Sequence, residues 1–359
     1  MQTPTHYPSR KFHSVIRLLY GAIFLVSLAC NAVNTILLPT ITPIPSSTST
    51  PTFTPTPTLT PTATEPTALC GAPPAMFILI IGSDSRRDNY SAGLADSIRI
   101  ARVDFIHPRV QILTFPRDLY VEIPGIDPQY NITHGKLNQA YLYGNPSYNY
   151  YSGPGQGPGL LANTLKHNFD ARVDHYLAVN LQTFVRVVDA VGGIDINLPY
   201  TIDGRVKGSK DPNLYFPAGP QHLNGYRTML LARMRPQGDF QRIEIQNLIL
   251  HALASKLLSP AVIPNLPSLI EAFHGSVQTD LGTVEIGQLL CLASMLNAQQ
   301  IELLGFPETI FTSQRYQDPV LGNTSVLVAD FNVLRAYVQE FNQGAWSVPT
   351  GEPNGITHP

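Results

Sequence analysis

The sequence predicts an α/β domain on two observations. Three short Ile- and Val-rich runs, at 77–81, 98–103 and 110–115, have the length and composition of strands. Further on, Leu181, Phe184, Val185, Val188 and Val191 share one helical face. Gly192-Gly193 stops that helix. Ile194, Ile196 and Leu198 then alternate with Asp195 and Asn197 as a half-buried strand, and helix, glycine turn and strand in that order indicate an α/β architecture.

The three early runs order the rest. The last two are joined by His107-Pro108-Arg109, a short turn that makes them antiparallel neighbours. If the first pairs likewise, the three form a meander. Asp84 then lies just past strand one, Asp96 just before strand two, and Arg117 just past strand three, all at one end of the sheet. Two carboxylates beside a cation fit a hard divalent metal with a phosphate ligand. Turn and capping roles would use the same residue types.

In 359 residues, 43% are hydrophobic and only 13% charged, about half the usual charged share. The net charge of −2 gives none of the basic surplus expected of a nucleic-acid binder. Residues 1–17 are polar and carry Arg10, Lys11 and Arg17. Residues 18–38 are long enough for one membrane span, and the preceding basic residues put the N-terminus in the cytoplasm and the rest outside. A cleaved signal peptide is the alternative. Ser27-Leu28-Ala29-Cys30 also approximates a lipoprotein cleavage site, which would leave Cys30 lipidated. Residues 39–69 are a Thr/Pro/Ser linker with no capacity for a core, able to reach about 90 Å when extended. The globular part covers 70–345, and a loose tail follows over 346–359. Its cysteines, Cys70 and Cys291, invite a disulfide in an oxidising compartment; two buried thiols are the alternative.

Lys136 to Tyr141 reads as a helix start carrying a cation. The Tyr/Asn/Gly/Pro run from 143 to 159 reads as a long irregular loop of the kind that often forms a lid. A short helix over 160–169 and a strand over 176–179 follow. Pro236 disfavours helical geometry at Arg235. An extended backbone there would turn Arg233 and Arg235 to one side, where paired guanidiniums suit a phosphate or pyrophosphate. Asp239 can cap a helix reaching about Leu257, with Ile245, Leu248, Ile249 and Ala252 on its apolar face. Arg242 sits in its first turn, against the helix dipole; a bound anion or a pairing with Asp239 would relieve that conflict. Helices are expected near 263–273, 284–296 and 330–341, and strands near 301–304 and 325–328.

Eight pieces in this order carry a family resemblance: Gly82-Ser83-Asp84-Ser85-Arg86, Ala95-Asp96-Ser97, Phe115-Pro116-Arg117-Asp118, Lys136-Leu137-Asn138-Gln139-Ala140-Tyr141, Val191-Gly192-Gly193-Ile194-Asp195, Leu223-Asn224-Gly225, Ala232-Arg233-Met234-Arg235 and Asp239-Phe240-Gln241-Arg242. Together they resemble the LytR-CpsA-Psr family of cell-wall glycopolymer transferases. The resemblance implies an α/β/α fold, a mixed central sheet flanked by helices, with an apolar lipid cavity. It implies an extracytoplasmic phosphotransferase that moves a glycopolymer from a polyprenyl-pyrophosphate carrier to a peptidoglycan hydroxyl, assisted by Mg2+. By motif, Asp84 and Asp96 would hold the metal, and Asp84, Asp96 and Arg117 would be catalytic. Arg86, Arg117, Arg233, Arg235 and Arg242 would bind the pyrophosphate. The partners implied are the lipid-linked polymer, peptidoglycan and the membrane, with no nucleic acid.

The chain departs from the family pattern at two places. Leu94 stands where the family often has Arg, and Ile245-Gln246-Asn247 stands where it has Arg-Gln-Gln, which leaves one clamp residue unaccounted for. The competing functions are a polyprenyl-pyrophosphate pyrophosphatase and a non-catalytic lipid- or wall-binding module. A role in transcription is opposed by the predicted span and the charge balance.

Overall fold

A computed structural model describes residues 67–346 apart from 86–89, 206–209, 236–237 and 319. The predicted span, Cys30, Arg86, all but the last three residues of the linker, and the tail beyond 346 lie outside the described residues. Among the described residues no helix is long and apolar enough to cross a membrane.

The chain opens with β1 (Ala75–Ser83), β2 (Ala95–Asp104) and β3 (Arg109–Phe115), the expected antiparallel meander. A small hairpin of β4 (Tyr120–Glu122) and β5 (His134–Lys136) leads into α1 (Leu137–Gly144) and α2 (Gln156–Phe169). Next come β6 (His175–Asn180), α3 (Leu181–Ala190) and β7 (Ile194–Leu198). The short strands β8 (Ile202–Asp203) and β9 (Tyr215–Phe216) pair with each other, and β10 (Gly219–Leu223) pairs with β7. Helices α4 (Gly225–Ala232), α5 (Asp239–Leu257) and α6 (Leu266–Phe273) follow, then β11 (Gln278–Thr279), α7 (Thr283–Ala293) and β12 (Ile301–Gly305). The hairpin of β13 (Thr312–Asp318) and β14 (Gly322–Val328) and the helix α8 (Phe331–Gln343) complete the fold.

The main sheet has six strands in the order β11-β6-β1-β2-β3-β12. It is mixed: β6 joins β1 and β12 joins β3 in parallel, while the meander and β11 are antiparallel. Alternation along β1 explains the layers. Phe77, Leu79 and Ile81 pack with Leu137, Leu160, Leu165 and Phe341 of α1, α2 and α8. Met76, Ile78 and Ile80 turn to the other face, towards Leu289 and Leu292 of α7. Cys70 and Cys291 are joined, with Cα atoms 5.9 Å apart, so the entrance of the domain is fastened to α7. Hydrogen bonding of the domain begins at Leu69, whose amide donates to Phe105 O at 2.8 Å. At the other end Trp346, assigned to the tail by its sequence, packs on Phe306 and Tyr337.

The 143–159 segment is less loop-like than its composition indicates. Helix α1 runs to Gly144 and α2 begins at Gln156, leaving 145–155 irregular. Tyr143 is fully buried and stacks with Tyr150, which stacks in turn on Tyr130. These rings anchor the segment to the core, so it does not have the form of a free lid.

Candidate functional site: a charged mouth on an apolar tunnel

The meander puts the end of β1, the start of β2 and the end of β3 side by side. The turn between β1 and β2 closes on itself through Asp84: its amide donates to Leu94 O at 3.1 Å, and its Oδ1 accepts from the Leu94 amide at 2.6 Å. Gly93 holds φ at +140° there, and a Cβ would lie 2.8 Å from Ser83 Oγ and 3.1 Å from Asp84 Oδ1. Only glycine fits that position without strain. Burial raises the Asp84 carboxyl above its ordinary range; the Leu94 amide opposes this, and the negative charge of Asp96 adds to it.

Arg117 gathers the acidic side of the cluster. Its guanidinium donates to Asp96, to Asp239 at 3.2 Å through Nε, and lies 3.6 Å from Asp118. Burial works against its charge, but these carboxylates win and hold Arg117 more firmly protonated than usual. Lys136, at the start of α1, reaches Asp118 at 3.0 Å. Asp118 and Asp239 share a hydrogen bond: burial and that bond raise Asp118. On Asp239 burial is outweighed by the bond from Asp118 and by Arg242, Arg117 and Arg235, which hold its carboxyl down at about 2.

The basic side comes from α4 and α5. Arg233 is the C-cap of α4 in helical geometry (φ −99°, ψ −7°), so the extended backbone expected at Arg235 does not reach back to Arg233. Arg233 and Arg235 nevertheless both line the same cavity. Asp239 is the first residue of α5, after the N-cap Gly238. Its carboxylate is turned to the arginines, 3.6 Å from Arg235 and 3.5 Å from Arg242. Both resolutions proposed for Arg242 therefore have a basis: it pairs with Asp239, and it also faces the cavity with its Nε unpartnered.

Behind this mouth lies a cavity of about 840 Å3 between the second face of the sheet and α3, α5, α6 and α7. Its walls are apolar: Leu250 and Leu253 of α5, Leu269 and Phe273 of α6, and Leu289 and Ala293 of α7 are among them. Helix α5 explains the hollow. Ile245 and Ile249 fill a compact core with Val188, Ile194 and Leu231, while Leu250, Leu253 and Leu257, spaced by three and four, form a second apolar stripe facing the void. A helix apolar on two sides buries both, and here the second side faces space that an apolar ligand would fill.

Of the residues singled out by sequence, Asp84, Asp96, Arg117, Arg233, Arg235 and Arg242 converge on this mouth. Three others belong to it: Asp118 and Asp239, as the partners that order the arginines, and Arg99, in the middle of β2. Arg99 is 1% exposed and lines the cavity. An arginine between Ile98 and Ile100 was the available signal, but only packing shows the strand buried on both faces, where an unpaired charge is seldom placed without a ligand.

The carboxylates also suit a metal. Among the described residues no three His, Cys, Asp or Glu side chains are gathered to hold an ion by themselves. Magnesium usually takes only one or two carboxylates and completes its shell with substrate phosphate and water. Asp84 and Asp96, close enough for the charge of Asp96 to help raise the Asp84 carboxyl, fit that pattern.

Comparison with known proteins agrees with this fold. The sequence model of the LytR_cpsA_psr family matches residues 66–335. The chain is 28% identical over 230 residues to the polyisoprenyl-teichoic acid–peptidoglycan teichoic acid transferase TagV of Bacillus subtilis, covering 63% of this chain and 55% of that protein. It is 28% identical over 233 residues to the transferase TagU of Halalkalibacterium halodurans, covering 64% and 69%. The match thus spans about half to two thirds of the length of these curated relatives. The crystal structure of B. subtilis TagV superposes with a TM-score of 0.57 at 26% identity, over 74% of this chain and 96% of that one. The chain belongs to the LytR-CpsA-Psr family.

Proposed function

We propose that this protein is an extracytoplasmic phosphotransferase that moves a glycopolymer from a polyprenyl-pyrophosphate carrier to a hydroxyl of peptidoglycan. The observation that carries the reading is the joining of a cluster of cations and carboxylates to an 840 Å3 apolar tunnel. A diphosphate attached to an isoprenoid has both parts of that complementarity in one molecule. The names of TagV and TagU, which specify a polyisoprenyl-linked polymer and a peptidoglycan acceptor, support the same substrate class here.

In the reaction, an acceptor hydroxyl oxygen forms a bond to the phosphorus that carries the polymer. The bond from that phosphorus to the bridging oxygen breaks, and polyprenyl monophosphate leaves. The hydroxyl proton passes to a carboxylate of the cluster. Phosphoryl transfer depends on positioning and charge neutralisation more than on covalent help from the protein. Arg233 and Arg235, exposed at the rim, grip the polymer-bearing phosphate. Arg117 keeps the carboxylates in register. Magnesium, held by Asp84 and Asp96, would supply further neutralisation of the phosphate oxygens. The apolar N-terminal stretch at 18–38 would anchor the domain to the membrane in which the carrier resides, with the 39–69 linker as its tether.

The test is product analysis with the full-length chain, a polyprenyl-diphosphate-linked oligosaccharide and a peptidoglycan fragment. The reading predicts a phosphodiester joining the two glycans, with polyprenyl monophosphate as co-product. Release of the glycan phosphate with no joined product would assign hydrolysis instead. Binding with no turnover would assign a binding module.

A further inference from the structure

Arg99 is a wholly buried guanidinium without a carboxylate partner among the described residues. It reaches the tunnel wall from β2, paired in register with Ile80 on one side and Thr114 on the other. Its Nε donates to Ser97 Oγ at 3.2 Å, and its Nη1 donates to Thr114 Oγ1 at 2.6 Å and to Asn247 Oδ1 at 2.7 Å. All three partners are neutral. Its Nη2 is buried and has no hydrogen-bond partner among the described residues. Arg242, 3% exposed, lines the same cavity and leaves its own Nε unpartnered and buried. Two cations thus lie by one void, each with a donor unused: burial and the charge of Arg242 bring Arg99 down to about 9, and burial with the charge of Arg117 brings Arg242 down to about 10.

Such an arrangement is costly without a counter-ion. A buried charge that lacks a partner is strongly unfavourable, and three neutral hydrogen bonds satisfy geometry but not charge. An anion at this depth would supply what is missing. Depth also decides which anion. Arg233 and Arg235 are exposed at the rim, while Arg99 and Arg242 are buried. A lipid tail entering the tunnel draws its own phosphate to the inner pair and leaves the outer phosphate at the rim.

We infer that Arg99, together with Arg242, forms an inner subsite for the lipid-bearing phosphate of an isoprenyl diphosphate, the group that departs as isoprenyl monophosphate. This rests on the transferase reading for the role of that phosphate, and on the tunnel alone for its place. When the bridging bond breaks, the electron pair stays on the bridging oxygen, and the charge gathers on the inner phosphate. The unused Nη2 of Arg99 is the donor available to that growing charge. Asn247, at a position where the chain departs from the family pattern, holds the guanidinium in place.

The experiment compares binding of farnesyl monophosphate and farnesol to the full-length chain, in wild type, Arg99→Met and Arg99→Gln. The wild type is expected to prefer the monophosphate by about tenfold to a hundredfold, the effect of one charge-assisted hydrogen bond. Both variants should lose most of that preference while binding farnesol within about twofold of wild type. Should Arg99→Met fail to fold, Arg99→Gln keeps an amide to donate to Thr114 or Asn247 and answers the same question. A folded variant that keeps the wild-type preference overturns the subsite alone. A variant that loses both ligands equally shows that Arg99 only shapes the tunnel, and also overturns it. Equal binding of both ligands by the wild type overturns the subsite and the lipid-phosphate reading together.

Discussion

The disulfide gives a sharp test of how the tunnel is built. Cys70 precedes β1 and Cys291 lies in α7, whose Ile286, Leu289, Leu290 and Ala293 form one wall of the cavity. The bridge closes a loop of 221 residues. Chain-entropy arguments assign a loop of that length about 5 kcal/mol, at the top of the range of 2–5 kcal/mol seen for native disulfides. For a domain of this size each kcal/mol moves the melting temperature by about 2–4 °C, so loss of the bridge should lower it by at least about 5 °C. The perturbation is Cys291→Ala, with reduction of the wild type as a second route. The assay is thermal unfolding, run beside farnesol binding. Both routes should lower the melting temperature by similar amounts and weaken farnesol binding, because α7 loses its tie to the start of the domain. A shift below about 2 °C, or an unchanged affinity for farnesol in the reduced protein, would refute the claim that this bridge holds the wall.

Three further outcomes are expected. Asp96→Asn should lower kcat for transfer by about a hundredfold or more, the usual effect of losing a charge arranged for the transition state, while costing little stability, because Arg117 keeps Asp239 and Asp118; equal loss of activity and fold would contradict this. Ala293→Trp, placed in the tunnel wall, should weaken a long polyprenyl diphosphate by about 5- to 150-fold, from an overfilling cost of about 1–3 kcal/mol, and should spare inorganic pyrophosphate in a competition assay. Chelation should abolish transfer, magnesium should restore it, and Asp84→Asn should raise the magnesium concentration needed; a rate indifferent to chelator would remove the metal from the mechanism.

Much of this site was legible because strand ends can be placed from short Ile- and Val-rich runs and the turn that joins them. Once the runs at 77–81, 98–103 and 110–115 form a meander, Asp84, Asp96 and Arg117 must meet. Arg99 was harder to see, because a charge within a strand normally reads as its solvent face, and only tertiary packing shows that both faces of β2 are covered. The tunnel was illegible for a related reason. Leu250, Leu253 and Leu257 have the spacing of any core stripe, and sequence cannot tell a stripe that meets a partner from one that meets a void. The 143–159 segment is irregular over 145–155 as its Tyr, Asn and Gly content indicates, but composition does not show that Tyr143, Tyr148 and Tyr150 pack on one another. Arg233 and Arg235 line the same cavity, with Arg233 closing α4 in helical rather than extended geometry.

The most direct test is a structure of the full-length chain with a polyprenyl diphosphate and magnesium. The account predicts the isoprenoid between α5, α6 and α7, the inner phosphate against Arg99 and Arg242, and the outer phosphate between Arg233, Arg235 and an ion on Asp84 and Asp96. A lipid lying outside the tunnel, or a diphosphate bound away from Arg99 and Arg242, would contradict it.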